Sequence, residues 1–148
     1  AQGAGTSQLL RLARSRVRNG QPDQAVELLL KASEQAHHPR EAFLTRTEAA
    51  AVMVDNGLES VARPILDDMM ALIESHSLDG WESGDTVAKP LGLLYRVRRA
   101  AGEGAEDLYE RIVRLDPVHA MRLRSEERSR EREGYGTEGS EGSGGDAS

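Results

Sequence analysis

Apolar residues recur along this chain at helical spacing, and nowhere in the alternating spacing of a half-buried strand. Leu9, Leu12, Ala13 and Val17 share one face of a first helix, with Arg11, Arg14 and Arg18 on another. Asn19-Gly20 ends that helix, because Asn and Gly accept the left-handed conformation of a helix terminus. Pro22 suits the first turn of a second helix, which carries Ala25, Leu28, Leu29 and Ala32 and stops near His37-His38-Pro39. A third helix is predicted over 40–55, stopped by Asn56-Gly57, and a fourth over 58–75. A polar loop over 77–85 interrupts the pattern. A fifth helix carries Val87, Leu91, Leu94, Tyr95 and Val97 and ends near Gly102; a sixth covers 105–115; Pro117 opens a short final helix through Met121 and Leu123. Two prolines constrain the boundaries. Pro64 is tolerated if its helix begins near Ser60, whereas Pro90 demands a kink or a helix that starts later than Ser83.

The pattern repeats. Asn19-Gly20 and Asn56-Gly57 lie 37 residues apart, and at the same offset Ala13 matches Ala50, Val17 matches Val54, Ala25 matches Ala62 and Leu29 matches Leu66. A third unit reads Ala105, Tyr109, Ile112 against Ala25, Leu29, Ala32 and Ala62, Leu66, Met69. A small residue lets two helices approach, and larger residues one and two turns on fill the groove. The expected fold is all-α: three antiparallel helical hairpins stacked in a tetratricopeptide-like way, with short connections. The intervals of 37 and 43 residues exceed the roughly 34 of true tetratricopeptides.

Composition bounds the ends of that stack. The chain has 148 residues, enough for one domain, and no Cys, which excludes a disulfide framework or a thiolate metal site. Its net charge of −6 and 3% aromatic content argue against nucleic-acid binding, and no apolar run approaches the roughly 20 residues of a membrane span. Residues 125–148 hold seven acidic and three basic side chains, and from Gly134 on Gly and Ser dominate. Such a stretch cannot bury enough surface to offset its ordering entropy, so 125–148 is expected to be a charged, then Gly/Ser-rich, flexible tail. Residues 1–6 are expected to be linker and 7–124 the helical domain. With no starting Met and no signal-peptide pattern, the whole is expected to be a domain of a longer cytosolic protein.

The sequence offers no arrangement of residues suited to catalysis. Adjacent His37 and His38 point about 100° apart on a helix, poor geometry for a shared metal, and His76 and His119 stand alone. Asp67-Asp68 likewise diverge, so they do not form an acid/base pair. Gly3-Ala4-Gly5-Thr6-Ser7 lacks the Lys and preceding strand of a phosphate loop. No nucleophile–base arrangement is present. The expectation is a protein without enzymatic activity, metal or cofactor. Trp81, the single Trp, is expected either to plug the gap between the second and third hairpins or to anchor a partner.

Several stretches together carry a resemblance. They are Arg40-Glu41-Ala42-Phe43-Leu44; Asn56-Gly57 with Ala62-Arg63-Pro64-Ile65-Leu66; and Ile73-Glu74-Ser75-His76-Ser77-Leu78-Asp79-Gly80-Trp81-Glu82. Leu91-Gly92-Leu93-Leu94-Tyr95-Arg96 and the run from Leu108-Tyr109-Glu110 to Leu115-Asp116-Pro117 extend it. In this order they resemble the C-terminal region of the TssA/VasJ (ImpA-related) family of type VI secretion proteins, over about 9–123. The resemblance implies a cytoplasmic, structural role. Such proteins form ring-shaped oligomers and associate with the baseplate, or with the sheath and inner tube of the contractile tail. The rival expectation is a monomeric tetratricopeptide-like adaptor that binds a peptide or protein partner.

A short helical stack has two open ends. Leu9, Leu10 and Leu12 are more than one narrow face can bury, and the last hairpin offers Leu108, Tyr109, Ile112 and Met121. These residues, with Arg11 and Arg14 at the rim, are the candidates for a contact between copies. The competing expectation is that they fill the core of their own hairpin.

Overall fold

Sequence punctuation sets the helices. The computed structural model describes residues 2–78 and 82–138, with side chains over 7–78 and 82–134. Among the described residues there are seven α-helices and no strand: α1 (Gln2–Arg18), α2 (Pro22–Gln35), α3 (Pro39–Asp55), α4 (Glu59–Ser75), α5 (Gly84–Ala100), α6 (Glu106–Leu115) and α7 (Pro117–Glu138). Pro22, Pro39 and Pro117 each open a helix, where a missing amide costs no internal hydrogen bond. Helices α1, α3 and α5 stop in one way. Gly20, Gly57 and Gly102 take φ of 76°, 76° and 75°, a region that costs other residues strain. Each glycine amide bonds back three residues (to Val17, Val54 and Arg99), and the next amide bonds back five (Gln21 to Arg16, Leu58 to Met53, Glu103 to Arg98). That pair of bonds is a Schellman cap, made three times.

Every helix packs on the next in the chain, and α5 packs on α3 and α7 as well. Helix α5 is therefore covered on several sides. Leu91, Gly92, Leu93, Leu94 and Tyr95 are all buried in succession, as are Val87, Ala88, Pro90 and Val97. The larger core gathers around it from α3 to α7, with Phe43, Met53, Leu66, Met69, Ile73, Leu108 and Ile112 among its members. A smaller cluster joins α1, α2 and α3 through Ala13, Ala25, Leu29 and Ala49, with Leu9, Leu10 and Val17 packed against it. Three of its four buried members are alanine, so α1 is held by close approach over little apolar area.

Ala25, Ala62 and Ala105 are all buried, as are Leu29 and Leu66 one turn beyond the first two. In α6 Tyr109 is only half-buried, and Leu108 and Ile112 are the buried side chains. The connection into α6 is longer: α2 and α4 begin two residues after their glycines, α6 four after Gly102.

Two prolines lie inside helices. Helix α4 begins at Glu59, so Pro64 lies beyond its free first amides and leaves the Ser60 carbonyl without a helical donor. Pro64 and Ser60 are both exposed. Helix α5 begins at Gly84 and continues through Pro90, so the later start is not adopted. Two glycines of α5 set close approaches. A Cβ at Gly84 would fall 3.0 Å from the Leu115 carbonyl carbon and overlap its oxygen, and one at Gly92 would run into the His119 imidazole.

The termini are more helical than composition suggests. Helix α1 takes in Gly3 and Gly5, continued backward from the turn where Leu9 and Leu10 pack. Helix α7 runs on to Glu138, past Arg124, through residues expected to be tail. Glu127 ties its middle to α5, and Glu126 pairs with Arg130 one turn on (3.7 Å). The remaining expected tail, 139–148, and Trp81 lie outside the described residues.

Candidate assembly surface

The candidate contact residues fall into three places. Leu108 and Ile112 are interior, 3% and 0% exposed, within the core that α5 organises. Leu9 and Leu10 are half-buried in the small cluster under α1, and the two sets share no cluster. Arg11 and Arg14 are exposed, and Met121 is 69% exposed on α7. So the fold does not unite these residues within one copy. It leaves exposed residues on two helices: Leu12, Arg11, Arg14 and Arg18 on α1, and Val118 with Met121 on α7.

The α7 face is held in place by a polar clamp. The Tyr95 hydroxyl donates to Glu127 Oε2 at 2.5 Å, and Arg99 Nε donates to Oε1 at 2.7 Å. Burial raises the Glu127 carboxyl, but these two donors outweigh it and hold it below the ordinary carboxylate value. Burial first, and then the bond to Glu127, push the Tyr95 hydroxyl up to about 12. The Tyr95 and Tyr109 rings lie 5.6 Å apart, tilted by 45°. Tyr109 donates to the Ala120 carbonyl at 3.2 Å, and the Arg124 guanidinium lies 4.0 Å over its ring. Arg124 reaches on to both oxygens of Glu106, at 2.8 and 2.9 Å. Asp116 receives the His119 amide (3.1 Å) and so caps the first turn of α7.

Arginines of α5 are engaged within the chain: Arg96 pairs with Asp55 at 2.9 Å and Arg99 with Glu127. Tyr109, expected at a contact between copies, belongs to the clamp. Helix α1 is different, having four arginines and no acid.

A cleft of about 540 Å³ lies among α3, α5 and α7 and is charged, lined by Asp55, Arg96, Arg99, Glu127, Arg130 and Glu131 among others. Another, of about 500 Å³, has an apolar lining of Phe43, Met69, Leu72 and Leu78, with Arg40 bonded to Glu82 at its edge. Asp67, Asp68, His37, His38 and His76 are all exposed. Among the described residues no three His, Cys, Asp or Glu side chains gather as a metal site, and no helix is long and apolar enough to cross a membrane.

The description of the type VI secretion family that names EvfE, EvfF, ImpA, BimE, VC_A0119 and VasJ matches residues 1–89. The chain belongs to this family. No curated protein and no solved structure matches it. The matched span of this VasJ/ImpA-related chain covers α1 to α4 and the first turns of α5. It stops before the clamp: Tyr95, Arg99, Tyr109, Arg124 and Glu127 all follow Lys89. The resemblance read across α5 and α6 therefore extends beyond the matched residues.

Proposed function

We propose that this chain is a non-enzymatic assembly domain of a type VI secretion machine, acting in the cytoplasm as a ring of copies that associates with the baseplate, or with the tail sheath and inner tube. The observation that carries this reading is the family match over residues 1–89. In this reading α1–α2, α3–α4 and α5–α6 are three antiparallel hairpins in a tetratricopeptide-like stack, closed by α7. Solenoid stacks of this kind have two ends that need covering. One end presents Leu12, 44% exposed, beside the half-buried Leu9 and Leu10; the other presents Val118 and Met121, 56% and 69% exposed. A head-to-tail contact that closes on itself covers both and makes a ring. Arg11, Arg14 and Arg18 sit at its rim and steer approach to carboxylates on the neighbour more than they supply affinity. The role requires no cofactor, metal, nucleic acid or membrane insertion.

Light scattering tests this. The wild-type chain at micromolar concentration should show the mass of a multimer, and Met121→Asp should lower that mass while leaving the circular dichroism of the helices unchanged. A chain that stays monomeric at high micromolar concentration would overturn the proposal. That outcome favours the alternative, a monomeric adaptor, for which the apolar cleft of Phe43, Met69, Leu72 and Leu78 is the observation.

A further inference from the structure

We propose that His119 is an acid-sensitive clasp, seated on Gly92, that fastens the first turns of α7 to α5 when neutral and loosens them when protonated. Gly92 is the only residue type that leaves room for the ring. A side chain there would meet His119 Nε2, with Cδ2 at 3.2 Å and the Leu123 methyl at 3.3 Å. The Nε2–Cδ2 edge of the imidazole therefore lies on the α5 backbone. Nε2 is buried and has no hydrogen-bond partner. A neutral ring tolerates this, since an unused lone pair faces the cradle. A proton added at Nε2 would place an N–H with its positive charge where no acceptor stands.

The charges facing the ring are Lys89 from α5, Asp116 from the turn before α7, and Arg122 and Glu126 from α7. Burial is the strongest influence and holds the imidazole below its ordinary value, aided by Arg122 and Lys89 and opposed by Asp116 and Glu126. The folded value is depressed, so the neutral ring's contribution is complete above the ordinary histidine value of about 6.5 and is lost as pH falls through the folded value. Glu127, whose carboxyl lies below the usual carboxylate range, holds the next turns of α7 until lower pH. The two groups thus loosen α7 in sequence as acid is added, beginning at His119.

Hydrogen exchange and histidine NMR on the whole chain test the clasp. The His119 ring should titrate below the ordinary histidine value of about 6.5. Amide protection in the first three turns of α7, corrected for intrinsic exchange, should fall between pH 7.5 and pH 5 by about tenfold for each unit by which His119 is depressed. Protection in α3 and α4 should hold. His119→Gln, neutral throughout, should abolish the pH dependence confined to α7. Should that variant fold poorly, the wild-type titration and exchange decide alone. His119 titrating at or above the ordinary histidine value of about 6.5, or α7 protection that does not change with pH, would overturn the proposal, as would an unaltered pH dependence in a folded His119→Gln chain.

Discussion

One substitution, glycine to alanine, should have opposite effects at two positions of this chain. Gly84 opens α5 directly against the end of α6. An added Cβ would lie 3.0 Å from the Leu115 carbonyl carbon and nearer still to its oxygen, so backbone meets backbone and no side chain can swing aside. Overpacking of this kind costs about 1–3 kcal/mol, and a clash with backbone belongs at the upper end. Alanine returns less than about 1 kcal/mol through helix propensity. The net expectation is a loss of about 2 kcal/mol. At Gly104 nothing lies within 4 Å of the added methyl and φ is not positive, so alanine restricts only the unfolded chain. That stabilises by about 0.4–1 kcal/mol. Urea unfolding followed by far-ultraviolet circular dichroism separates the two. With a urea slope of about 1–3 kcal/mol per molar, the two midpoints should differ by about 1 M or more, lying on either side of wild type. A Gly84→Ala midpoint at or above wild type, with the slope unchanged, would refute the close-approach argument.

Tyr95→Phe and Glu127→Gln should each destabilise by about 1–2 kcal/mol, discounted for the partial exposure of Arg99; a double-mutant cycle should show that their effects are not additive. The raised Tyr95 hydroxyl makes stability fall as pH climbs from the ordinary tyrosine value of about 10 towards 12, because the unfolded chain ionises first. Denaturation midpoints across that range, lost in Tyr95→Phe, check this. Ile112→Asp places an unpaired charge in the core and should abolish helicity, whereas Met121→Asp should change stability by less than about 0.5 kcal/mol. Thermal unfolding of the pair distinguishes a core residue from a surface one.

The helices were legible because their signals are local. Gly20, Gly57 and Gly102, and the helix-opening Pro22, Pro39 and Pro117, act within a few residues of where they stand. What local pattern could not show is how many neighbours a helix has. Helix α5 packs on α3, α4, α6 and α7, and a five-residue buried run such as Leu91 to Tyr95 carries no single face. Likewise, apolar spacing marked Leu108 and Ile112 for burial without saying in which copy. Helix α6 packs on α5 and α7, and the structure places both residues in the core of their own chain. The clamp was missed for a related reason. Tyr95 and Glu127 are 32 residues apart, and Glu127 stands in a charged stretch whose composition alone suggests a tail.

That miss bears on how the proposed contact is built. The anchors of α7 are partly apolar, through Ala120 and Leu123, and partly polar, through Arg124 and Glu127. Residues spaced three or four apart on a helix share a face, so these anchors lie along one side of α7. Val118 and Met121 are displaced from that side and point outward. The clamp therefore fixes the rotation of α7 about its axis, and with it the surface that a neighbour would meet. Its polar bonds specify orientation, whereas the buried apolar area that holds the chain together sits mainly around α5.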